Sequence, residues 1–320
     1  TKEEYAKFIK ENQGSYKKHL ENIRKLNELK SSLPHRYTRI YKSVNSDGDD
    51  VSEIRNTHLA FSSREVENSK FLFFCRHGSK ESYDVSFLGF NSELVYENCH
   101  GFGGNNTAFG IRNFNNQNAR YNEECHESKN IFGCEGLRKK NYCILNKEYS
   151  KEEYEKIIPK IIKQMEEMPY LNKRGKLYKY GEFFPSELSP FAYNETIAQE
   201  YFSVTKEEVL KQGYSWQDIE ERNYKIDIET KDLPDDIKNV EEDIINKVIT
   251  CEHAGKCKDQ CTEAFKIISE EFKFYKRMNL PLPRLCPNCR NYQLLNLRNP
   301  LKLWDRTCMC DPTSQSFAEQ

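Results

Sequence analysis

The chain has 320 residues and a mass of 37.9 kDa, and its 49 Lys and Arg against 50 Asp and Glu give a net charge of −1. This length allows two or three domains, and the balanced charge excludes a protein that binds polyanions over its whole surface. The sequence has neither a signal peptide nor an apolar run long enough to cross a bilayer. We therefore expect a soluble, cytoplasmic protein without a membrane partner.

The C-terminal third of the chain contains an acidic stretch followed by a basic one. Residues 218–243 contain 11 acidic and 4 basic residues, a net charge of −7, whereas residues 271–306 contain 8 basic and 2 acidic residues, a net charge of +6. Such neighbouring stretches of opposite sign allow docking within the chain or binding of two kinds of partner.

The first segment, residues 1–34, is predicted to be helical. Apolar residues recur at helical spacing over residues 2–31, with a break at Gly14 and a stop at Pro34. The charged opposite face is most simply a solvated surface, and a coiled coil or an RNA contact is the alternative.

Residues 35–149 are predicted to form a repetitive β region. Short β-prone clusters recur at a nearly regular spacing, and a polar, Asn-rich turn precedes each one. The clusters are Phe71–Cys75, Tyr83–Phe87, Leu94–Glu97, Thr107–Ile111, Ala119–Cys125, Ile131–Cys134 and Tyr142–Leu145. This spacing is typical of stacked repeats, and Asn both tolerates left-handed backbone angles and stacks in ladders. We therefore favour a short parallel β-solenoid over an antiparallel sandwich.

A helical and extended connector is predicted over residues 150–245. Ser150 and Glu153 form a capping box before an apolar helix face that contains Pro159, and a second capped helix begins at Thr205. Between them, residues 169–195 are predicted to form a linker rich in Pro, Gly and aromatic residues, in which Glu182–Tyr193 lies as an extended strap against a neighbouring domain. Lys225–Ile228 is predicted to be a strand and Val240–Val248 a helix.

The strongest chemical pattern lies in residues 246–320, which we interpret as a zinc ribbon. Cys257 and Cys261 form one close pair, Cys286 and Cys289 form another, and a short insert separates the two pairs. Each pair can place two thiolates on a tight turn, so that together they complete a tetrahedral zinc site. Four protein ligands leave no position for water, so we expect the zinc to be structural rather than catalytic.

The same segment resembles the bacterial "probable zinc-ribbon" domain over about 40 residues. The resemblance is carried by a cysteine followed by an aromatic residue, a Glu…Phe-Tyr helix and a CPxCR knuckle. These elements lie at 261–265, 271–275 and 286–290. The family has CxxC as its first knuckle, whereas this chain has CxxxC with Cys251 nearby, so Cys251 rather than Cys257 is an alternative fourth ligand. Segments 130–150, 183–202 and 299–310 resemble zinc-ribbon proteins of ultra-small uncultivated bacteria. This resemblance does not point to any particular activity.

A second metal site is a further possibility. Cys308 and Cys310 lie on either side of one methionine near the end of the chain, and Cys251 and His253 are the candidates to complete a Cys3His zinc site with them. The alternatives are reduced thiols, or half of a site that residues beyond Gln320 complete.

The basic stretch suggests a nucleic-acid or ribonucleoprotein contact. Arginine can bind phosphate with two hydrogen bonds, and neighbouring aromatic residues can stack on unpaired bases. The candidate contact residues are Arg277, Arg284, Arg290, Arg298, Lys302 and Arg306. The alternatives are a protein–protein contact and ordinary surface solvation.

The cysteines of the β region are predicted to be structural. The steps from Cys75 to Cys99 and from Cys99 to Cys125 are each close to two repeats, so two strands per turn would stack these residues in one column of buried thiols. His100 and His126 directly follow two of them, but adjacent residues on a strand point to opposite faces. A nucleophilic Cys–His pair is therefore disfavoured.

Together these patterns predict an α+β fold with N-terminal helices, a β-solenoid, a connector and a C-terminal zinc ribbon. The leading hypothesis is a non-enzymatic protein that binds nucleic acid or a ribonucleoprotein through its basic C-terminal face, with a possible protein partner on the β region. The alternatives are a carbohydrate-active enzyme or an assembly scaffold built on the solenoid, and no residue is named as catalytic.

Overall fold

The computed structural model describes residues 1–218 and 223–305 and confirms the α+β fold. The chain divides into two compact units. The first combines Thr1–Arg36 with Phe191–Asn299, and the second contains Tyr37–Pro190 together with residues 300–305. The N-terminal helices therefore belong to the same unit as the cysteine-rich segment. Within the described residues, no helix has both the length and the apolar character that crossing a membrane requires.

The second unit is built from short strands, most of which pair in parallel with the next coil of the chain. The strands are β1 Ile40–Tyr41, β2 Gly48–Asp49, β3 Val51–Ser52, β4 Arg55–Phe61, β5 Val66–Phe73, β6 Ser79–Lys80, β7 Tyr83–Gly89, β8 Glu93–Phe102, β9 Asn105–Phe114, β10 Gln117–Arg120, β11 Lys129–Phe132, β12 Asn141–Ile144 and β13 Lys147–Glu148.

The strand register confirms the predicted β-solenoid. Ala60 pairs with Leu72, which belongs to the next repeat, and Leu72 pairs in turn with Val85 of the repeat after it. Asn105 and Gln117, from two further successive repeats, are paired in the same way. Each repeat seen in the sequence is therefore one complete coil, so the expectation of two repeats per turn is wrong.

The coil follows a period of three residues. Nearly every third residue has a left-handed backbone, and the residue after it points into the interior. Within residues 56–63 the left-handed positions are Asn56, Leu59 and Ser62, and the buried positions are Thr57, Ala60 and Ser63. Since Thr57 pairs with Ser69 one coil later, and every third position between them points inward, four columns of side chains fill the interior.

Small and polar side chains occupy much of this interior, and the backbone satisfies their hydrogen-bonding groups. The Asn122 amide donates to the Ile131 carbonyl oxygen at 3.3 Å and accepts from the backbone N–H of Cys134 at 2.8 Å. A buried polar group costs little stability only when it is paired in this way. Each such asparagine therefore joins neighbouring coils.

A second set of asparagines forms ladders on the outside of the solenoid, as the sequence predicted. The Asn106 amide donates to Asn118 at 2.9 Å, Asn118 to Asn130 at 3.0 Å, and Asn130 to Asn141 at 2.9 Å. The first three have left-handed φ values between 49° and 52°, which asparagine adopts more readily than most residues. The same side chain therefore both permits the turn and connects the coils.

The prediction of one column containing Cys75, Cys99 and Cys125 is wrong at Cys99. Cys75 and Cys125 are buried, whereas Cys99 is exposed because it occupies a position of the three-residue period that does not point inward. The thiols that do form a series are those of Cys125, Cys134 and Cys143, which are all buried and follow one another at a constant step. Each of the first two contacts the next cysteine's carbonyl oxygen, at 3.4 and 3.5 Å.

The solenoid ends where the chain reverses direction. Strand β13 pairs antiparallel with β12, and helix α3 follows over Lys151–Glu167, with the predicted capping box at Ser150 and Glu153. The hairpin of β14 (Tyr170–Leu171) and β15 (Leu177–Tyr178) leads into the predicted aromatic strap. The rings of Tyr180 and Phe184 contact Tyr121, with centroids 6.1 and 5.9 Å away.

The first unit is formed by helices and one short hairpin. Its elements are helices α1 Lys2–Asn12 and α2 Tyr16–Ser32, helices α4 Ala198–Tyr201 and α5 Lys206–Lys211, strands β16 Ile249–Thr250 and β17 Ala264–Phe265, and helices α6 Ser269–Met278 and α7 Pro287–Leu295. The break between the first two helices and the capped start of α5 at Thr205 confirm the sequence analysis.

Two predicted elements of this unit are wrong. Val240–Val248 is not a helix, because only Glu242–Ile244 forms a short 3-10 turn before β16 begins. Lys225–Ile228 is not a strand, since only Ile228 forms a bridge, with Ile249. Both stretches are short and mix apolar with charged residues, so their local pattern does not distinguish a core-lining turn from a regular element.

We predict that Asn118→Ala lowers the free energy of unfolding of the solenoid by about 1–3 kcal/mol. The variant loses two ladder hydrogen bonds and places alanine in a left-handed conformation that costs about 1–2 kcal/mol. Asn118→Gly loses the same bonds without that strain and is expected to be the more stable of the two. Urea unfolding of the three proteins measures the order, and equal stability of the alanine and glycine variants would contradict the backbone argument.

Candidate metal centre

The cysteines of the first unit come together from three short chain segments. Cys251 directly follows β16, Cys261 lies just before the antiparallel β17, and Cys286 is the N-cap of α7 with Pro287 at its first turn. Cys289 lies inside that first turn. Proline is favoured at the start of a helix because its missing N–H would have no partner there. The sequence CPNC therefore begins the helix and places both its thiols at the helix N-terminus.

Four of these thiols form a compact, buried cluster. The Sγ atoms of Cys251, Cys261, Cys286 and Cys289 all lie within 4.8 Å of one another. Two of the separations, Cys251–Cys289 and Cys261–Cys286, are 3.9 Å, and none of the four residues is more than 5% exposed. A tetrahedral ion with metal–sulfur bonds of about 2.3 Å separates its sulfurs by about 3.8 Å. The cluster can therefore hold a metal ion, with a donor set that suits zinc.

Backbone N–H groups are directed at the cluster. Cys286 donates to the Cys251 sulfur at 3.2 Å, Thr262 to the Cys286 sulfur at 3.5 Å, and Glu263 to the Cys261 sulfur at 3.3 Å. Such donors stabilise thiolates, which are the form that binds metal. Burial raises the pKa of the Cys286 thiol, but hydrogen bonds from Thr262 and Cys289 outweigh burial and lower this pKa to about 6. The site thus favours a thiolate at this position.

An apolar core packs against the four-thiol cluster. Ile249, Ile267, Leu282 and Phe272 are almost fully buried and pack in one group with the four cysteines. Since these residues come from the hairpin, the turn after it, α6 and the loop before α7, packing and the thiol cluster hold the same segments together. Loss of the cluster is therefore expected to loosen this core.

The geometry places Cys251 in the cluster and Cys257 beside it. The Cys257 sulfur lies 3.6 Å from the Cys289 sulfur, but Cys257 is half-buried and belongs to a second group of potential ligands with His253 and Asp259. Of the two first-ligand alternatives in the sequence, the four-thiol geometry favours Cys251. Asp259 was not singled out in the sequence, and only its position shortly after Cys257 could have suggested it.

Arg284 is not part of an exposed basic face. It is 6% exposed and donates to the carbonyl oxygens of Leu233 and Pro234, at 3.2 and 2.7 Å. Its guanidinium also lies 4.8 Å above the ring of Tyr16, whose backbone N–H donates to Asp235 at 2.9 Å. Arg284 therefore attaches the start of α2 to the segment that precedes the cluster, and sequence reasoning missed this role.

The other predicted contact residues are not equivalent. Arg290 is engaged by Glu271 and the Tyr275 hydroxyl, at 3.3 and 3.0 Å, whereas Arg277 and Arg298 are exposed. Lys302 is exposed and falls in the second unit. Arg306, Cys308 and Cys310 lie outside the described residues. The structure thus describes no single surface that contains the whole predicted set.

No protein-family model matches the chain, and no curated protein is significantly similar to it.

We predict that Cys251→Ser lowers the metal affinity of the protein by more than about 100-fold, because it removes one of the four clustered thiols. Cys257→Ser is the matched control, since it removes a neighbouring thiol outside that cluster, and it is expected to retain an ion at the four-thiol site. Metal analysis after dialysis against a chelator measures both. Loss of all bound metal in Cys257→Ser with retention in Cys251→Ser would contradict the assignment.

Proposed function

We propose that the protein is a non-enzymatic binding protein whose first unit is a zinc ribbon that contacts nucleic acid. The observation that carries this proposal is the buried cluster of Cys251, Cys261, Cys286 and Cys289. Four thiolate ligands fill a tetrahedral coordination sphere, so no position remains for a water molecule or a substrate. An ion held in this way stabilises the fold and performs no chemistry.

Zinc is the ion that this donor set favours, because four thiolates in tetrahedral arrangement select zinc over magnesium or calcium. The resemblance of residues 261–290 to the probable zinc-ribbon domain supports the same choice. The departure from that family lies in the first knuckle, where Cys251 provides a thiol from further upstream of Cys261 than the family's spacing.

The proposed contact surface consists of exposed arginines beside aromatic rings. The Arg277 guanidinium lies 5.9 Å from the ring centroid of the exposed Phe274, and that of Arg298 lies 4.1 Å from the ring of Tyr201. Arginine can bind a phosphate while a neighbouring ring stacks on a base, which is how many proteins bind single strands. We therefore propose single-stranded RNA or DNA as the partner.

We predict that the intact protein binds a single-stranded oligonucleotide with an affinity that falls steeply as salt increases. The double variant Arg277→Ala/Arg298→Ala is expected to reduce the slope of log K against log salt by about 1.4, since each phosphate contact on a single strand contributes about 0.7. Fluorescence anisotropy over a range of about 50 to 300 mM salt measures the slope.

The matched control is Arg138→Ala, which removes an exposed arginine from the solenoid and is expected to leave the slope unchanged. The proposal fails if the wild-type protein shows no binding at the lowest salt concentration, or if the control changes the slope as much as the double variant does.

As a second candidate function we propose carbohydrate binding or cleavage on the solenoid. A groove of about 640 Å³ there contains Asn106 and Arg120 together with four aromatic side chains. These are Tyr83, Tyr96, Phe109 and Tyr180. Aromatic faces and a few polar groups are typical linings of small-molecule sites.

The carboxyl group of Glu97, which is hydrogen-bonded to the groove residue Tyr96, has the raised pKa that a general acid needs. Burial, the hydrogen bond from Tyr96 and the neighbouring Asp84 and Glu182 act on Glu97, and the net effect raises its pKa. One of its carboxyl oxygens is buried and has no hydrogen-bond partner within the described residues. Glycosidases use two carboxyl groups, of which one has a raised pKa and acts as the general acid while the other is ionised, and Glu97 fits the first of these roles.

If this second function holds, Glu97→Gln lowers glycan hydrolysis by about 100-fold or more, because a general acid contributes at least that factor, while glycan binding is retained. The control Glu93→Gln changes an exposed carboxylate of the same solenoid and is expected to have no effect. Hydrolysis and binding assays on a panel of oligosaccharides test this, and equal activity of the two variants excludes Glu97 from catalysis.

A further inference from the structure

Three side chains beside the four-thiol cluster are not used by it. They belong to the loop between Cys251 and Cys261 and comprise His253, Cys257 and Asp259, all half-buried. One potential ligand atom from each of them, together with the Cys289 sulfur, lies within 4.8 Å of the others. Nitrogen, sulfur and oxygen donors thus converge on one point next to the first centre.

One atom of this group has no hydrogen-bond partner. The Nδ1 atom of His253 is buried and unpaired within the described residues, and its nearest acidic neighbour, Oδ2 of Asp259, is 3.6 Å away. That separation is too long for a hydrogen bond. Leaving a buried polar atom without a partner costs about 1–3 kcal/mol. A cation between the imidazole and the carboxylate would satisfy both groups.

The loop holds Cys257 in the way that it holds the cysteines of the first centre. The backbone N–H of Asp259 hydrogen-bonds to the Cys257 sulfur, two positions before it. Glu263 and Cys261 have the same relation, as do His253 and Cys251. The same turn, in which a backbone N–H is directed at the sulfur of the cysteine two positions before it, therefore occurs at Cys251, Cys257 and Cys261.

Cys289 lies between the two groups. Its sulfur is 3.9 Å from the Cys251 sulfur and 3.6 Å from the Cys257 sulfur. A thiolate has enough lone pairs to bind two ions, and neighbouring metals in two-metal sites lie about 3.5–4 Å apart. Cys289 is thus placed to bridge an ion in each group.

We propose that His253, Cys257, Asp259 and Cys289 bind a second divalent metal ion, so that the first unit contains a two-metal centre bridged by the Cys289 thiolate. The proposal rests on the four-thiol zinc site described above. The mixed imidazole, thiolate and carboxylate ligands suit zinc and cobalt and disfavour magnesium and calcium.

The test is anaerobic titration of the metal-free full-length protein with Co(II), in which thiolate-to-cobalt charge-transfer absorbance reports each filled site. We expect saturation at two equivalents for the wild type and at one equivalent for Asp259→Asn and for Cys257→Ser. The matched control is Glu270→Gln, which changes an exposed carboxylate in the first turn of α6 and is expected to retain two equivalents. Circular dichroism of each cobalt-loaded variant checks that it folds.

Several outcomes overturn the proposal. One equivalent in the wild type means a single ion, with Cys251 and Cys257 as alternative ligands. Two equivalents that fall to one in a Cys308→Ser/Cys310→Ser variant, but not in Asp259→Asn, place the second ion elsewhere. Absence of any tightly bound ion instead removes the four-thiol zinc site and with it the proposed zinc ribbon, so the two failures are distinguishable.

Discussion

The first unit depends on the close approach of four buried sulfur atoms. Metal binding requires these groups as thiolates, and thiolates whose sulfurs are only 3.9 Å apart in so buried a site repel one another unless a cation balances their charge. The same four residues pack against the apolar core of the unit. Metal binding and folding are therefore expected to be one process there. Arg284, two positions before Cys286, connects this part of the chain to the start of helix α2 through its contact with Tyr16.

The sequence predicted the cysteine knuckles because their spacing is short and local, and the same locality explains where it failed. Spacing shows that Cys257 and Cys261 are close, but it does not show that Cys251 directly follows a strand that pairs with the segment after Cys261. Arg284 and Arg290 have the composition of a basic surface, yet carbonyl groups and Glu271 engage them. Contacts between residues that are distant in sequence decide both cases.

The solenoid was predicted from the regular distance between β-prone clusters and from the frequency of asparagine at the turns. The period of three within each coil was not predicted, since helix and strand templates have periods of 3.6 and 2. For the same reason Cys99 was assigned to the interior. Polar interior residues such as Asn122 also disguise the pattern, because hydrophobicity alone does not mark them as buried.

The reversal of the chain at β13 has a consequence for how this architecture can change during evolution. A stack of parallel strands presents unpaired backbone groups at each end, which can recruit strands from other molecules. Here the antiparallel β13 and the ring contact of Tyr142 with Tyr154 of α3, 5.7 Å between centroids, cover one end. Whole coils can therefore be gained or lost in the middle of the stack, because each contacts only its neighbours. The terminal cover and the cysteine-rich unit would remain unchanged while the length of the solenoid varied.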